Sequence, residues 1–173
     1  WNRHYGMICT SESARVGKIM KSLQVWLDEY GESHQNRFNK LVHYVCVPAI
    51  YMTVMGLLWA IPSPFEASPN WLNWALLLAV PVMGFYFALS FVVGLGMTVF
   101  TALVLLFLNW WQFNMPVTVL TMSISIFILA WVMQFVGHKV EGKKPSFFKD
   151  VQFLLIGPVW ILCHLFQKVK IKY

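Results

Sequence analysis

The sequence has few charged residues for its length. Of its 173 residues, 12% are charged and 58% are hydrophobic, whereas a typical soluble domain carries about 25% charged residues. Between Leu41 and Gly137 the only formal charge, apart from His43, is Glu66. A stretch this long with so little charge cannot form the surface of a soluble domain, and it contains several runs near the roughly 20 apolar residues that cross a bilayer. The sequence therefore predicts an integral membrane protein.

Several patterns that define common enzymes and metal sites are also missing. The three cysteines, Cys9, Cys46 and Cys163, lie far apart and form no CxxC pair, which disfavours a disulfide framework and a zinc knuckle. The sequence has no P-loop, no HExxH and no GxSxG motif. It also lacks the clustered HxxxH and HxxHH boxes of membrane di-iron hydroxylases and desaturases. Basic and aromatic residues do not alternate, so we expect no nucleic-acid partner.

The hydrophobic runs predict an all-α membrane bundle with four transmembrane helices. We expect these helices at about residues 41–61, 71–88, 90–110 and 117–137, with a tight hairpin between the second and the third. A shorter run at 151–167 contains Gly157-Pro158, and a proline removes a backbone donor and disfavours a straight helix. We expect this run to be a re-entrant or interfacial helix, and a fifth full crossing is the alternative.

The basic residues set the predicted orientation and the division of the chain. All thirteen Lys and Arg fall within residues 1–40, 138–150 and 168–173, and such residues prefer the cytoplasmic side. Four crossings place all three groups on that side. We expect a poorly ordered N-terminal leader (1–23) without the apolar core of a signal peptide, a single membrane-embedded domain (24–167) and a basic tail (168–173).

This topology brings four of the five histidines to one face of the membrane. His34 and His43 belong to the cytoplasmic end of the first span, and His138 belongs to the cytoplasmic end of the fourth. His164 joins them if the last segment turns back. Because nine residues place His34 and His43 on opposite sides of a continuous helix, the chain must bend between them, and Asn36 offers a capping side chain for the bend, as does Ser33.

The residues beside these histidines strengthen the case for a functional site. Asn39 shares a helix face with His43, and Glu141 shares one with His138. Several imidazoles with a carboxylate suit non-haem Fe(II) oxygen chemistry, but the ligand types alone do not separate iron from zinc. A zinc-dependent membrane lipid hydrolase therefore stays open. So does a non-enzymatic scaffold or lipid-binding protein whose histidines only form hydrogen bonds at the interface.

Three stretches of the sequence together resemble a known family. They are ESHQNRFNKLVHYVCVP, QFVGHKVEGKKPSFFKD and LLIGPVW. They resemble the 2-hydroxy fatty acid dioxygenase family, whose best-known member acts in yeast phytosphingosine breakdown, and the resemblance covers roughly residues 24–166. The shared pattern is two histidines nine residues apart followed by Val-Pro and, three spans later, Gln-Phe-x-Gly-His with a Glu beyond it.

The resemblance implies an Fe(II)-dependent membrane enzyme of fatty acid α-oxidation, which uses O2 to shorten a 2-hydroxy fatty acid by one carbon. The positions that match the family are His34, Asn39, His43, His138 and Glu141, whereas His164 departs from its pattern. On this basis the three matching histidines are expected to hold Fe(II), and His164 or Glu141 completes the set. Asn39 and Glu141 are the candidate catalytic residues.

The resemblance also suggests where the substrate and the site lie. The fatty acyl chain would lie among the spans and among membrane lipid, with its carboxylate at the interface, where Arg37 or Lys139 is expected to pair with it. We expect the active site on the cytoplasmic face of a bacterial inner membrane, or of the endoplasmic reticulum if the source is a eukaryote.

Overall fold

The prediction of an all-α fold is confirmed for the residues that the structure describes. This computed structural model describes the backbone of residues 21–63, 72–142 and 147–173, with the side chains of the last range from residue 153 onward. The described chain forms six helices and no strand. They are α1 (Leu23–Gly31), α2 (Arg37–Ala60), α3 (Trp74–Leu89), α4 (Phe91–Asn114), α5 (Val119–Glu141) and α6 (Phe147–Lys168). The predicted leader, residues 1–23, lies outside the described residues except at its last three positions.

Three of these helices are long and apolar enough to cross a membrane. They are α2, α4 and α5, with 24, 24 and 23 residues, and they correspond to the first, third and fourth predicted spans. Helix α3 has 16 residues, which at about 1.5 Å per residue is shorter than the roughly 30 Å hydrocarbon core. The crossing by α3 and the interfacial position of α6 therefore stay predictions. The tight hairpin is confirmed, because Ser90 alone separates α3 from α4.

Helices α2 and α5 run antiparallel in close contact. At one end, a Cβ atom added at Gly56 of α2 would overlap the Oγ atom of Ser123 on α5. At the other end, a Cβ atom at Gly137 of α5 would lie 2.5 Å from Oδ1 of Asn39 on α2. Small residues let helix backbones approach closely in a membrane, where packing drives association. The contact places the end of α5 beside the beginning of α2.

Helix α6 packs against α1, α2 and α4. It continues as one helix from Phe147 to Lys168, with Gly157-Pro158 inside it. Tertiary packing accounts for the glycine. A Cβ atom at Gly157 would lie 2.9 Å from Val47 and 3.1 Å from the Tyr30 hydroxyl, so the glycine lets the helix lie directly on both α1 and α2. Ile156 and Val159, on either side of the pair, are almost completely buried.

Replacing Gly56 with Ala tests the close contact of α2 and α5. The added methyl group overlaps Ser123, and such overpacking lowers stability by about 1–3 kcal/mol. Gly84→Ala is the matched control, because a Cβ atom there meets nothing within 4 Å and Ala favours a helix over Gly. Thermal unfolding in detergent should therefore show a lower melting temperature for Gly56→Ala alone. Equal melting temperatures for the two variants would contradict the contact.

Candidate metal centre

Three buried histidines meet where α2 begins and α5 ends. His34 lies in the loop between α1 and α2, His43 lies in the second turn of α2, and His138 lies in the last turn of α5. Their candidate ligand atoms all lie within 4.8 Å of one another. Since a metal-bound imidazole nitrogen lies about 2.0–2.1 Å from zinc, two nitrogens on one such ion lie up to about 4 Å apart. A small rotation of the rings would therefore bring all three onto a single ion.

The predicted bend between His34 and His43 is confirmed. Asn36 is the N-cap of α2, and its side-chain oxygen accepts a hydrogen bond from the backbone N–H of Phe38 at 2.8 Å. Because the helix begins only after this cap, His34 is free of the helical register. Its ring centroid lies 4.2 Å from that of His43. Two side chains that would point to opposite sides of one helix thus face each other.

Backbone carbonyls orient two of the three rings. Nδ1 of His34 lies 2.6 Å from the carbonyl oxygen of Tyr30, and Nδ1 of His43 lies 2.9 Å from that of Asn39. A carbonyl oxygen can only accept, so each Nδ1 carries the hydrogen and each Nε2 keeps its lone pair, as is usual in metal-ligating histidines. Nε2 of His34 is buried and has no hydrogen-bond partner among the described residues. A metal ion would satisfy it.

Burial keeps His34 in the form that binds metals. The loss of hydration is the main effect, and it lowers the pKa of His34 from 6.5 to about 4, against a smaller rise from the hydrogen bond to the Tyr30 carbonyl. The ring of Tyr30 stacks on His34 with a centroid distance of 4.2 Å and contributes to this burial. His34 is therefore neutral at pH 7, as ligation requires.

The carboxylate of Glu141 fixes the loop that carries His34. One of its oxygens accepts a hydrogen bond from the backbone N–H of Gln35 at 2.9 Å. The other accepts from the backbone N–H of Asn36 at 2.8 Å and from the side-chain amide of Asn39 at 3.1 Å. Backbone N–H groups and the helix dipole make the beginning of α2 a favourable place for a negative charge. With both oxygens used in this way, Glu141 is placed to position the loop.

Asn39 connects this loop to His43. Its side-chain amide also donates to the carbonyl oxygen of Ser33 at 3.2 Å, and its own carbonyl accepts from His43. Asn39 is completely buried, and Gly137 leaves the room that its side chain occupies. Asn39 and Glu141 therefore act on the positions of the histidines from opposite helices.

His164 lies apart from the other three histidines. Its Nδ1 is 2.9 Å from the carbonyl oxygen of Trp160, and its ring packs on the Trp160 indole with a centroid distance of 4.1 Å. Trp160 in turn packs against His34 at 5.8 Å. The indole thus separates the two imidazoles, and the histidine group found in the described part of the chain does not include His164.

Two cavities meet at His34. One, of about 40 Å³, is lined by the three histidines, Gln134 and mainly apolar residues. The other, of about 350 Å³, is lined largely by polar residues, including Lys40, Gln167 and His164. Because His34 lines both cavities, the metal centre lies between an apolar space among the helices and a polar space beyond them.

The predicted partners of a carboxylate do not line either cavity. Arg37 and Lys139 are both exposed, whereas Lys40 is half-buried and lines the polar cavity. Lys40 was not among the predicted partners of a carboxylate, although its spacing places it close to one of the histidines. It lies three residues before His43, and residues three apart share a helix face.

Comparison with known families identifies the family of this chain. The family model described as 2-hydroxy-palmitic acid dioxygenase Mpo1-like matches residues 20–169. The chain belongs to this family. The match confirms the resemblance seen in the three sequence stretches, and it spans the histidines, Asn39 and Glu141. Searches of curated proteins and of solved structures gave no match.

Replacing Glu141 with Gln tests its effect on the metal centre. The amide keeps one acceptor oxygen but turns an NH2 group toward backbone N–H donors, so the loop carrying His34 should loosen. We expect the affinity for cobalt(II), used as the probe metal, to fall by about 10–100-fold, as for other groups that orient metal ligands.

The matched control for this change is Glu29→Gln. Glu29 pairs with Lys21 at 2.7 Å on the protein surface, where such pairs contribute little. The Glu29→Gln variant should therefore bind cobalt(II) like the wild type. If the two variants bound cobalt(II) equally well, the carboxylate of Glu141 would have no part in positioning the histidines.

Proposed function

We propose that this protein is an Fe(II)-dependent dioxygenase that uses O2 to shorten 2-hydroxy fatty acids by one carbon. The observation that carries the proposal is the group of three buried histidines at the ends of apolar helices, in a chain of the Mpo1-like family. Imidazole ligands with open coordination positions suit Fe(II) oxygen chemistry. The unpartnered Nε2 of His34 fits a metal ligand.

The residues of the site divide the work of binding and positioning. His34, His43 and His138 would hold the iron, which when bound supplies oxygen activation and polarises the substrate. Glu141 and Asn39 keep the first two of these histidines in place through the beginning of α2. The apolar cavity would receive the chain of the substrate, and its hydroxyl and carboxylate would face the polar cavity.

The proposed net reaction is R-CH(OH)-COOH + O2 → R-COOH + CO2 + H2O. The bond between the carboxyl carbon and the hydroxyl-bearing carbon breaks, and the latter carbon is oxidised to a new carboxyl group. The two oxygen atoms of O2 accept the four electrons that the substrate loses. The reaction therefore balances without an external electron donor.

The alternatives account less well for the histidines. A scaffold or lipid-binding protein gains nothing from burying an unpartnered ring nitrogen, which costs about 1–3 kcal/mol. A zinc-dependent lipid hydrolase could use the same three ligands, but the family is described as a dioxygenase. Iron is accordingly the metal that we propose.

We also propose that the site faces the cytoplasm, at the inner membrane of a bacterium. The support is the charge near this end of the helices, where Arg37, Lys40, Lys139 and Lys168 all lie at or next to the ends of α2, α5 and α6. Basic residues next to spans prefer the cytoplasmic side.

Turnover of 2-hydroxypalmitate tests the proposal. The protein, supplied with Fe(II) in detergent, should consume O2 and release pentadecanoate. His138→Ala should lose iron and turnover because one of three ligands is gone, whereas His164→Ala should keep its iron. A wild-type protein that holds iron but releases no shortened acid would contradict the proposal, and zinc with oxygen-independent hydrolysis would favour the hydrolase.

Lys40 is the cation that we propose to pair with the substrate carboxylate. A hydrogen bond to a charged group contributes about 1.5–3 kcal/mol, so Lys40→Ala should raise KM by about 10–100-fold. Both KM and kcat are measured, and the rise in KM is the expected sign that Lys40 holds the substrate. Arg37→Ala and Lys139→Ala are the comparisons. If Arg37→Ala or Lys139→Ala raised KM while Lys40→Ala left it unchanged, one of these two exposed residues would be the partner of the substrate carboxylate instead.

A further inference from the structure

A second apolar cavity lies next to the histidine cavity. It has a volume of about 80 Å³ and lies between α2, α3 and α6, where Met55, Ala79 and Val82 are among its lining residues. Tyr51 carries a hydroxyl group in this lining, and that hydroxyl is hydrogen-bonded to Oγ1 of Thr101 at 2.7 Å. The cavity therefore suits an aliphatic ligand.

The side chain of Leu154 connects the two apolar spaces. Leu154 lines the cavity that contains the histidines and also lines the second cavity. Its side chain is half-buried and lies at the boundary between the two spaces. A ligand held at the histidines could then continue past Leu154 toward α3.

The length of this path matches a long fatty acyl chain. His43 and Met55 are twelve residues apart on α2, or about 18 Å at 1.5 Å per residue. An extended saturated chain with C–C bonds of about 1.5 Å advances ~1.25 Å per carbon. The distance from the histidines to Met55 therefore corresponds to the length of about 14 carbons.

We propose that the second cavity binds the tail of the substrate and that its wall on α3 sets the preferred chain length. This inference rests on the proposed function and adds the residues that select the substrate. Val82 and Ala79 belong to the α3 wall. The acyl chain of a membrane lipid has the same chemistry, so the experiment must distinguish it from the chain of the substrate.

The test compares Val82→Phe with Val80→Phe. Both add the same bulk to α3, but Val82 lines the cavity whereas Val80 is 67% exposed on the outside of the helix. Values of kcat/KM are measured for 2-hydroxy acids from decanoate to octadecanoate. Val82→Phe should shift the optimum to a shorter chain by about two or more carbons, because a filled cavity has no room for extra methylene groups. Val80→Phe should keep the wild-type profile.

If the Val82→Phe enzyme kept the chain-length profile of the wild type, the inference would be overturned. The cavity would then be assigned to the acyl chain of a membrane lipid. If Val82→Phe does not fold, Ala79→Val adds only two methyl groups to the same wall and should give the same shift. An unchanged profile in that variant would overturn the inference as well.

A binding measurement separates this inference from the proposed function. Unsubstituted fatty acids from decanoate to octadecanoate are titrated into the iron-free protein, so no turnover is needed. The tail site predicts that Val82→Phe weakens binding of the long acids by tenfold or more while the short acids bind as before. Equal affinities in Val82→Phe and Val80→Phe would contradict it, whatever the activity of the wild type.

Discussion

The contact of the Glu141 carboxylate with the beginning of α2 is the interaction on which the candidate metal centre depends. It joins the end of α5 to a loop more than a hundred residues earlier in the sequence. The N–H groups at a helix N-terminus have no partners within the helix, and here the carboxylate accepts from the N–H of the N-cap, Asn36, and of Gln35 before it. The same contact fixes the loop that holds His34 over His43. One of the three histidines lies on a loop. Without this restraint the loop would become ordered only when the metal binds, and its loss of conformational entropy would oppose metal binding.

The remaining architecture brings this contact to the boundary between the apolar and polar parts of the molecule. Glycines at both ends of the α2–α5 contact let the two helices approach until His138 lies beside His43. Helix α6 then covers the group with Trp160 and leaves a polar cavity on one side and apolar cavities on the other. A 2-hydroxy fatty acid has the same division, since one end is polar and the rest is hydrocarbon.

Much of this arrangement could be predicted from the sequence. The scarcity of charge and the hydrophobic runs gave the helices, and the spacing of nine residues between His34 and His43 required a bend that Asn36 provides. The convergence of His138 with these two was expected from four crossings, and the three histidines do lie together, although only three of the described helices are long enough to span a membrane by length and composition. These inferences succeeded because hydrophobic periodicity and capping act locally along the chain.

The contacts that were missed depend on tertiary structure. The hydrogen bonds of Glu141 go mainly to backbone N–H groups, which are the same in every residue and leave no pattern in a sequence. Gly157 fits closely against Val47 and Tyr30 on two other helices, and local sequence patterns do not predict such a contact. Similarly, the orientation of α6 about its own axis places Trp160 between His164 and the other histidines.

The metal content of the protein tests the central claim most directly. The wild type and His43→Ala would be purified anaerobically in detergent, offered Fe(II) and analysed for bound metals. Because three imidazoles can hold a single ion, the account predicts about one iron per wild-type chain and little or none in the variant. A wild-type protein that binds no metal in stoichiometric amount would contradict the account and leave the three histidines with a structural role.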